Sequence, residues 1–221
     1  MRDVHVIVGG FMSLDGKTAP ADRKGREFSK YMTPEHERLL HEIRADVDAI
    51  IVGVETVIAD NPSLTVRNVQ GKNPLRVVLD SHARTPLDSK ILNTQEAPTL
   101  IALARDAPKE KTDLLKTRNV EFFVSSAQEK VDLNELIAEL ASRGVKRVLV
   151  EGGGEVRWSF FEQKLVDELF VWFMPTVWGG RNAPTLVEGV GFLRAEDAVG
   201  LELESIKQVG DFLVLWFTVK R

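Results

Sequence analysis

The stretch DLNELIAELASRGVKRVLVEGGG, residues 132–154, encodes a helix, a strand and a glycine-rich turn in immediate succession. Asp132 can cap the helix, whose apolar stripe predicts an amphipathic segment over 132–143 that Gly144 ends. The run 147–151 predicts a buried strand, and after three glycines a second helical segment extends to Leu165. This order of elements is typical of an α/β domain with a mostly parallel sheet.

The same alternation of short apolar runs and helical patterns continues on both sides of this stretch. Helices are predicted after a threonine cap at Thr33 and over about 109–117. The remaining predicted strands lie at 4–8, 48–53, 75–80, 99–103, 120–124, 169–174, 201–208 and 212–219. The last two form a hairpin. We therefore predict one domain, 1–221, with a largely parallel central sheet flanked by helices and an antiparallel C-terminal hairpin.

The composition of the 221 residues excludes several classes of protein. There is no cysteine, which excludes disulfides, thiolate metal sites and cysteine nucleophiles. The net charge is −4 and the basic residues are scattered, whereas a nucleic-acid-binding protein would carry a basic face. The histidines form no ligand-spaced pair, so we expect no metal site. No apolar run reaches the length of a membrane span, and the N-terminus is unlike a signal peptide, so we expect a cytoplasmic protein.

Two junctions between strands and helices are candidate ligand sites. The three glycines after Glu151 would let backbone amides approach a phosphate at a helix N-terminus, although they also suit a simple tight turn. Their spacing does not match the dinucleotide fingerprint. Thr56 and Asp60 lie four residues apart on one face of a short helix, and the alternative there is a solvated turn that Asp60 and Asn61 cap.

Two further junctions follow predicted strands. Ser81 and Arg84 suit the 2′-phosphate of NADP, whereas Asp80 keeps open the ribose-binding mode of NAD. The segment 13–17 contains Asp-Gly, which ordinarily forms a turn. Open α/β sheets bind ligands beyond the carboxyl ends of their strands, so these junctions together predict a nucleotide-sized site.

Several motifs occur in a fixed order along nearly the whole chain. They are Ser13-Leu14-Asp15-Gly16-Lys17, Val52-Gly53 with Thr56, the segment from Asp60 to Arg67, Arg76 to Ser81, Glu151 to Gly154, Leu165 to Leu169, and Pro175 with Gly179-Gly180. This ordered set resembles the riboflavin-biosynthesis reductases, whose fold is similar to dihydrofolate reductase. The segment between Ala19 and Thr33 departs from the bacterial pattern.

The resemblance implies an NADPH-dependent reduction of the ribosylamino side chain of 2,5-diamino-6-ribosylamino-4(3H)-pyrimidinone 5′-phosphate to the ribitylamino form. Without cysteine, the chain is most similar to the stand-alone archaeal type rather than to the bacterial fusion with a cysteine-ligated deaminase. The family also implies a homodimer, with 169–174 and 212–217 as interface material, although core packing explains those residues equally well. Alternatives are a reductase of the same fold acting on the deaminated uracil substrate or a pterin, and a non-catalytic nucleotide-binding sensor.

The family pattern also implies which residues bind. It places NADPH against Thr56, Asp60, Ser81, His82, Ala83, Arg84, Gly152, Gly153, Gly154 and Glu155. It places the substrate against Arg44, Leu64, Arg67 and Glu151. The two arginines suit a 5′-phosphate, although Arg44 also suits a helix C-terminus. Glu151 is the candidate for polarising or protonating the sugar, with Asp15 and Asp60 as rivals.

Overall fold

A computed structural model describes residues 3–220 of the protein. These residues form a mixed α/β fold, and nine strands make up a mostly parallel sheet within them. In chain order the elements are β1 (His5–Ser13), α1 (Pro34–Ala45), β2 (Ala49–Gly53), α2 (Val54–Asp60), β3 (Leu75–Leu79), β4 (Thr99–Leu103), α3 (Lys109–Lys116), β5 (Glu121–Val124), α4 (Leu133–Ser142), β6 (Arg147–Gly152), α5 (Gly154–Glu162), β7 (Glu168–Met174), β8 (Leu201–Val209) and β9 (Phe212–Val219). The predicted α/β class is confirmed.

The chain divides into two compact units, each discontinuous in sequence. The first unit comprises the described part of Met1–His5 together with Arg38–Leu149, and the second comprises Val6–Glu37 with the described part of Val150–Arg221. The interpretation of 1–221 as a single domain stays a prediction.

The first unit holds four parallel strands in the order β5-β4-β3-β2. Every residue of β2 and β4 is buried, which explains their continuous apolar sequence. Asp132 caps α4 as predicted, because its carboxylate accepts hydrogen bonds from the N–H groups of Asn134 and Glu135 at 2.8 and 3.1 Å. Gly144, with φ +83°, ends this helix.

The second unit contains the parallel pair β1–β7, followed by antiparallel β9 and β8. The predicted terminal hairpin is confirmed. β1 extends to Ser13, beyond the predicted strand 4–8, because its two glycines serve packing rather than a turn: a Cβ at Gly9 would lie 2.2 Å from the Phe170 ring. The helix expected to reach Leu165 ends at Glu162, since Lys164 takes the left-handed conformation and the N–H of Leu165 returns to Phe160 O at 2.9 Å.

Within residues 3–220 we find no α-helix with the length and apolar character that crossing a bilayer requires. In the same range no group of three or more histidine or acidic side chains is arranged to hold a metal ion.

Candidate functional site

The short helix α2 carries two of the residues expected to bind the cofactor. Thr56 and Asp60 lie on α2 directly after β2, as predicted, and both are half-buried. Asn61 takes the left-handed conformation and ends the helix, and its N–H donates to Val57 O at 3.0 Å. Of the two residues suggested as caps, Asn61 therefore has that role, and Asp60 is the last helical residue.

The loop after β3 is organised by Asp80, which is fully buried. Its Oδ1 accepts from the N–H of Arg84 at 2.8 Å, and its Oδ2 accepts from the N–H and the hydroxyl of Thr85 at 2.8 and 2.7 Å. Ala83 has φ +54°, a left-handed conformation that these hydrogen bonds support. Because the carboxylate points into its own loop, the geometry disfavours the alternative in which Asp80 binds a ribose.

The exposed side of this loop presents Arg84 and His82. The Arg84 guanidinium forms an ion pair with Glu55 at 2.6 Å, with the two side chains 42% and 71% exposed. This pair places the first turn of α2 beside the 81–84 loop, so the structure brings these two predicted cofactor segments together within the first unit. Ser81 Oγ accepts from the N–H of Val131 at 3.2 Å.

The segment 61–68 contains two residues expected to bind the substrate. Leu64 is buried with φ +51°, which is strained for a bulky side chain. Arg67 is exposed; its Nη1 donates to Thr65 Oγ1 at 2.9 Å, and its backbone N–H donates to Nδ1 of His41 at 3.3 Å. These two hydrogen bonds hold the backbone and one end of the guanidinium of Arg67, and the residue as a whole remains exposed. Arg44 lies in the last turn of α1, where its charge also suits the helix terminus.

The sequence did not reveal the role of Arg76, which holds the segment 61–68 through a hydrogen bond to its backbone. Its fully buried guanidinium donates to the carbonyls of Ser63, Asn93 and Ala97 at 3.1, 2.9 and 2.6 Å. Burial lowers its pKa, partly opposed by Glu96. The available signal was an arginine within the otherwise apolar run of β3.

The glycine turn follows β6 in the second unit. Glu151 is half-buried and next to last in β6, and Gly153 adopts φ 63° and ψ 140°, which favours glycine. A Cβ at Gly154 would lie 2.5 Å from Cγ of Glu188. Close packing against Glu188 therefore explains why a glycine occupies this position.

The segment around Glu188 is hydrogen-bonded to the glycine turn. The N–H of Glu188 donates to Gly154 O at 3.2 Å, and Glu155 Oε1 accepts from the N–H of Gly189 at 3.2 Å. Two acidic side chains therefore lie at the N-terminus of α5, where a phosphate would have to bind. The tight-turn interpretation gains support from these contacts.

A second missed arginine, Arg157 on α5, is buried beneath this turn and 5% exposed. It donates to the carbonyls of Gly9, Leu186 and Glu151. Burial lowers its pKa to about 10, while the negative charges of Glu151 and Glu188 act in the opposite direction.

Asp15, a rival to Glu151 as the catalytic acid, holds a turn together. It accepts hydrogen bonds from the hydroxyl of Ser13 at 2.7 Å and from the N–H groups of Trp178 and Gly179 at 3.1 and 2.6 Å. The Ser13 hydroxyl and these backbone N–H groups lower the pKa of Asp15 to about 2. An acid with this pKa is ionised at neutral pH, so Asp15 is a poor proton donor. The contact also joins two of the sequence motifs, 13–17 and 179–180.

Residues 4–215 match the family model described as the RibD C-terminal domain. The chain is 44% identical over 206 residues to the 2,5-diamino-6-ribosylamino-4(3H)-pyrimidinone 5′-phosphate reductase of Aquifex aeolicus, covering 93% of this chain and 92% of that protein. It is 42% identical over 219 residues to the reductase of the same name from Methanothermobacter thermautotrophicus, covering 98% of each.

Solved structures give the same result at the level of the fold. RibD from Acinetobacter baumannii superposes with a TM-score of 0.80 at 25% identity; the match covers all of this chain and 59% of that one. Dihydrofolate reductase from Enterococcus faecalis superposes with a TM-score of 0.55 at 10% identity, covering 98% and 97% of the two chains, which supports the dihydrofolate-reductase-like fold alone. The predicted resemblance is confirmed, and the chain belongs to the RibD C-terminal domain family of riboflavin-biosynthesis reductases.

Proposed function

We propose that the protein reduces the ribosylamino side chain of 2,5-diamino-6-ribosylamino-4(3H)-pyrimidinone 5′-phosphate to the ribitylamino form, with NADPH as the reductant, in riboflavin biosynthesis. The observation that carries this proposal is identity above 40% to two reductases named for this substrate, over nearly the full length of each chain. The deaminated uracil substrate, a pterin and a sensor role remain alternatives with less support.

The loop 81–84 fits the 2′-phosphate of NADPH. Arg84 is held at its backbone by Asp80, yet its side chain is exposed and paired with an exposed Glu55. An ion pair of this kind contributes little to stability, so a phosphate dianion can replace the carboxylate and gain charge-assisted hydrogen bonds. When bound, NADPH supplies the hydride. Thr56 and Asp60 belong to the same proposed cofactor site, on the neighbouring helix.

We also assign Gly152, Gly153, Gly154 and Glu155 to cofactor binding. The φ of Gly153 and the absence of a capping side chain at the N-terminus of α5 suit an approaching phosphate. Because Glu188 lies against Gly154, an anion that binds here requires the Glu188 side chain to move. This makes the turn a weaker assignment than the 81–84 loop.

The substrate assignment rests on the segment 61–68. His41 holds the backbone N–H of Arg67 and Thr65 holds its guanidinium, and the remaining donors of this exposed arginine suit the substrate 5′-phosphate. Leu64, held in its strained conformation, and Arg44 complete the proposed substrate contacts of the first unit. We also assign Glu151 to the substrate.

In the proposed mechanism the glycosylamine opens to an imine, and hydride then adds to the former anomeric carbon. Opening requires a proton at the ring oxygen, and reduction requires a proton at the imine nitrogen. We assign Glu151 to polarise or protonate the sugar during these steps. Asp15 is disfavoured because its low pKa keeps it ionised, whereas Asp60 remains a rival.

The test is the loss of NADPH absorbance at 340 nm with the purified protein and the diamino substrate. Turnover with this substrate supports the proposal. Faster turnover with the deaminated uracil substrate or with a pterin would move the assignment to that alternative. Binding of NADPH without turnover of any of the three would favour the sensor.

Glu151→Gln tests the catalytic assignment. We expect kcat to fall by about 10²–10⁴-fold, because general acid–base catalysis typically contributes this much, while the KM for NADPH changes little. Asp60→Asn, which removes the carboxylate of the rival acid in the same way, is the matched comparison. Full turnover by the glutamine variant at saturating substrate and NADPH would refute the role of Glu151.

We further propose a cytoplasmic homodimer. The phosphorylated substrate and NADPH are charged metabolites that cells retain. Leu203 and Ile206 are 50% and 59% exposed on β8, the outer strand of the second unit, and they supply apolar surface for a partner. Light scattering after size-exclusion chromatography should give about twice the chain mass, and a single-chain mass would refute the dimer.

A further inference from the structure

The side chain of Arg157 joins three separate segments of the second unit by donating hydrogen bonds to their backbone carbonyls. Its Nε donates to Gly9 O at 3.2 Å, its Nη1 to Leu186 O at 3.1 Å, and its Nη2 to Glu151 O. One buried side chain thus connects β1, the end of β6 and the segment that precedes Glu188. The carbonyl of Glu151 immediately precedes the glycine turn, so the position of this guanidinium sets where the turn begins.

The sequence of β1 leaves room for the guanidinium. A Cβ at Gly10 would lie 2.7 Å from Nη2 of Arg157 and 2.9 Å from Cδ1 of Leu186. The Cζ atom of Arg157 would lie 3.1 Å away. A side chain at this position would therefore displace the group that holds the Glu151 carbonyl.

The charge of Arg157 is costly to bury. With a pKa of about 10 the guanidinium is protonated at neutral pH, and Glu151 and Glu188 provide the opposing negative charges. A buried charge often contributes less to stability than an apolar side chain of similar volume, even where opposite charges lie nearby. Stability alone is therefore a poor explanation for an arginine here, and the three carbonyl contacts indicate a positional role.

We propose that Arg157 is a positioning residue for the reduction, holding the Glu151 carbonyl and the glycine turn in the geometry that catalysis needs. The inference rests on the proposed function, in which Glu151 acts on the sugar. Arg157 acts through Glu151 and is not itself a catalytic residue.

A double-mutant cycle tests this dependence. Arg157→Lys keeps a positive charge, but its three donors are on one nitrogen and cannot reproduce the contacts that Nε, Nη1 and Nη2 make separately. We expect it to lower kcat by about tenfold in the wild-type background and by about twofold or less in the Glu151→Gln background, because the two residues act as one unit. Equal losses in both backgrounds would overturn the proposal, since a purely structural defect does not depend on Glu151.

Phe160→Leu is the matched control for lost stability. Phe160 is fully buried on the same helix, so this substitution weakens the packing of α5 while all three carbonyl contacts of Arg157 remain. We expect its kcat to stay within about twofold of wild type. If Phe160→Leu, at matched loss of thermal stability, lowers kcat as much as Arg157→Lys does, the positional role is refuted.

Hydrogen exchange provides a readout that needs neither cofactor nor turnover. In Arg157→Lys we expect the amides of 152–155 to exchange about tenfold faster than in wild type, and in Phe160→Leu we expect no such local change. Unchanged exchange at 152–155 in Arg157→Lys would overturn the proposal. A wild-type protein that does not reduce the substrate would refute the proposed function instead, and the exchange experiment would still decide the positional role.

Discussion

Asp80 and Arg84 have different roles in the loop after β3. The buried carboxylate accepts three hydrogen bonds from the loop, which determine its shape, and the exposed guanidinium is the charged group that a ligand can reach. Discrimination between NADPH and NADH should therefore depend on Arg84 rather than on Asp80. Glu55 pairs with this guanidinium. A phosphate that binds Arg84 therefore has to replace the Glu55 carboxylate.

Arg84→Ala tests this discrimination. We expect the KM for NADPH to rise by about tenfold or more and the KM for NADH to change by about twofold or less, because only the 2′-phosphate loses a charge-assisted partner. Steady-state kinetics with each cofactor provide the measurement. Arg118→Ala, at another exposed arginine of the first unit, is the control and should change neither value. Wild-type affinities for the two cofactors within about threefold of each other would contradict the preference itself.

At the scale of elements, the turn between β6 and α5 illustrates how neighbouring glycines can meet two different structural requirements. Gly153 supplies a backbone conformation that other residues rarely adopt, whereas Gly154 supplies space for Glu188. The hydrogen bonds from 188 and 189 to the turn give the second demand a physical basis. A triple glycine after a strand therefore does not by itself indicate a phosphate site.

Gly154→Ala should measure the packing demand directly. We expect a loss of about 1–3 kcal/mol in the free energy of unfolding, because the new Cβ overlaps Glu188. In a Glu188→Ala background the same substitution should cost less than about 0.5 kcal/mol. Urea denaturation gives these values. Gly200→Ala, where a Cβ meets only ordinary contacts of 3.5 Å or more with Lys220, is the control. An equal cost in both backgrounds would show that Glu188 is not the obstacle.

Most elements were predictable to within one or two residues, because each strand and helix carries its own hydrophobic period. The end of β1 was not, since a Gly-Gly pair indicates a turn unless the ring of Phe170 is known to lie against it. Arg76 and Arg157 were also missed as organisers. An arginine within an apolar strand marks Arg76 as unusual, but the backbone carbonyls that both arginines bind come from other segments, which the local sequence does not identify. The pairing of Asp15 with Gly179 was hidden for the same reason.

At the scale of the whole molecule, acidic side chains organise turns in both units. In the second unit Asp15 accepts from Ser13, Trp178 and Gly179. In the first unit Glu135 accepts from the hydroxyls of Ser125 and Ser126 and from the N–H of Ser126, and the Ser126 hydroxyl is the largest cause that lowers its pKa. Each interaction favours the ionised carboxylate, so acid should weaken both units.

Asp15→Asn tests the strongest of these cases. The folded pKa of about 2 lies below the ordinary value of 3.8, so the ionised group stabilises the fold above about pH 4, and this contribution is lost as the pH falls toward 2. We therefore expect the variant to be less stable than wild type at pH 7, and the difference to shrink at pH 3. Urea denaturation at the two pH values provides the measurement, with Asp106→Asn at an exposed surface pair as the control. A difference between Asp15→Asn and wild type that is the same at both pH values would show that the charge of Asp15 does not stabilise its turn.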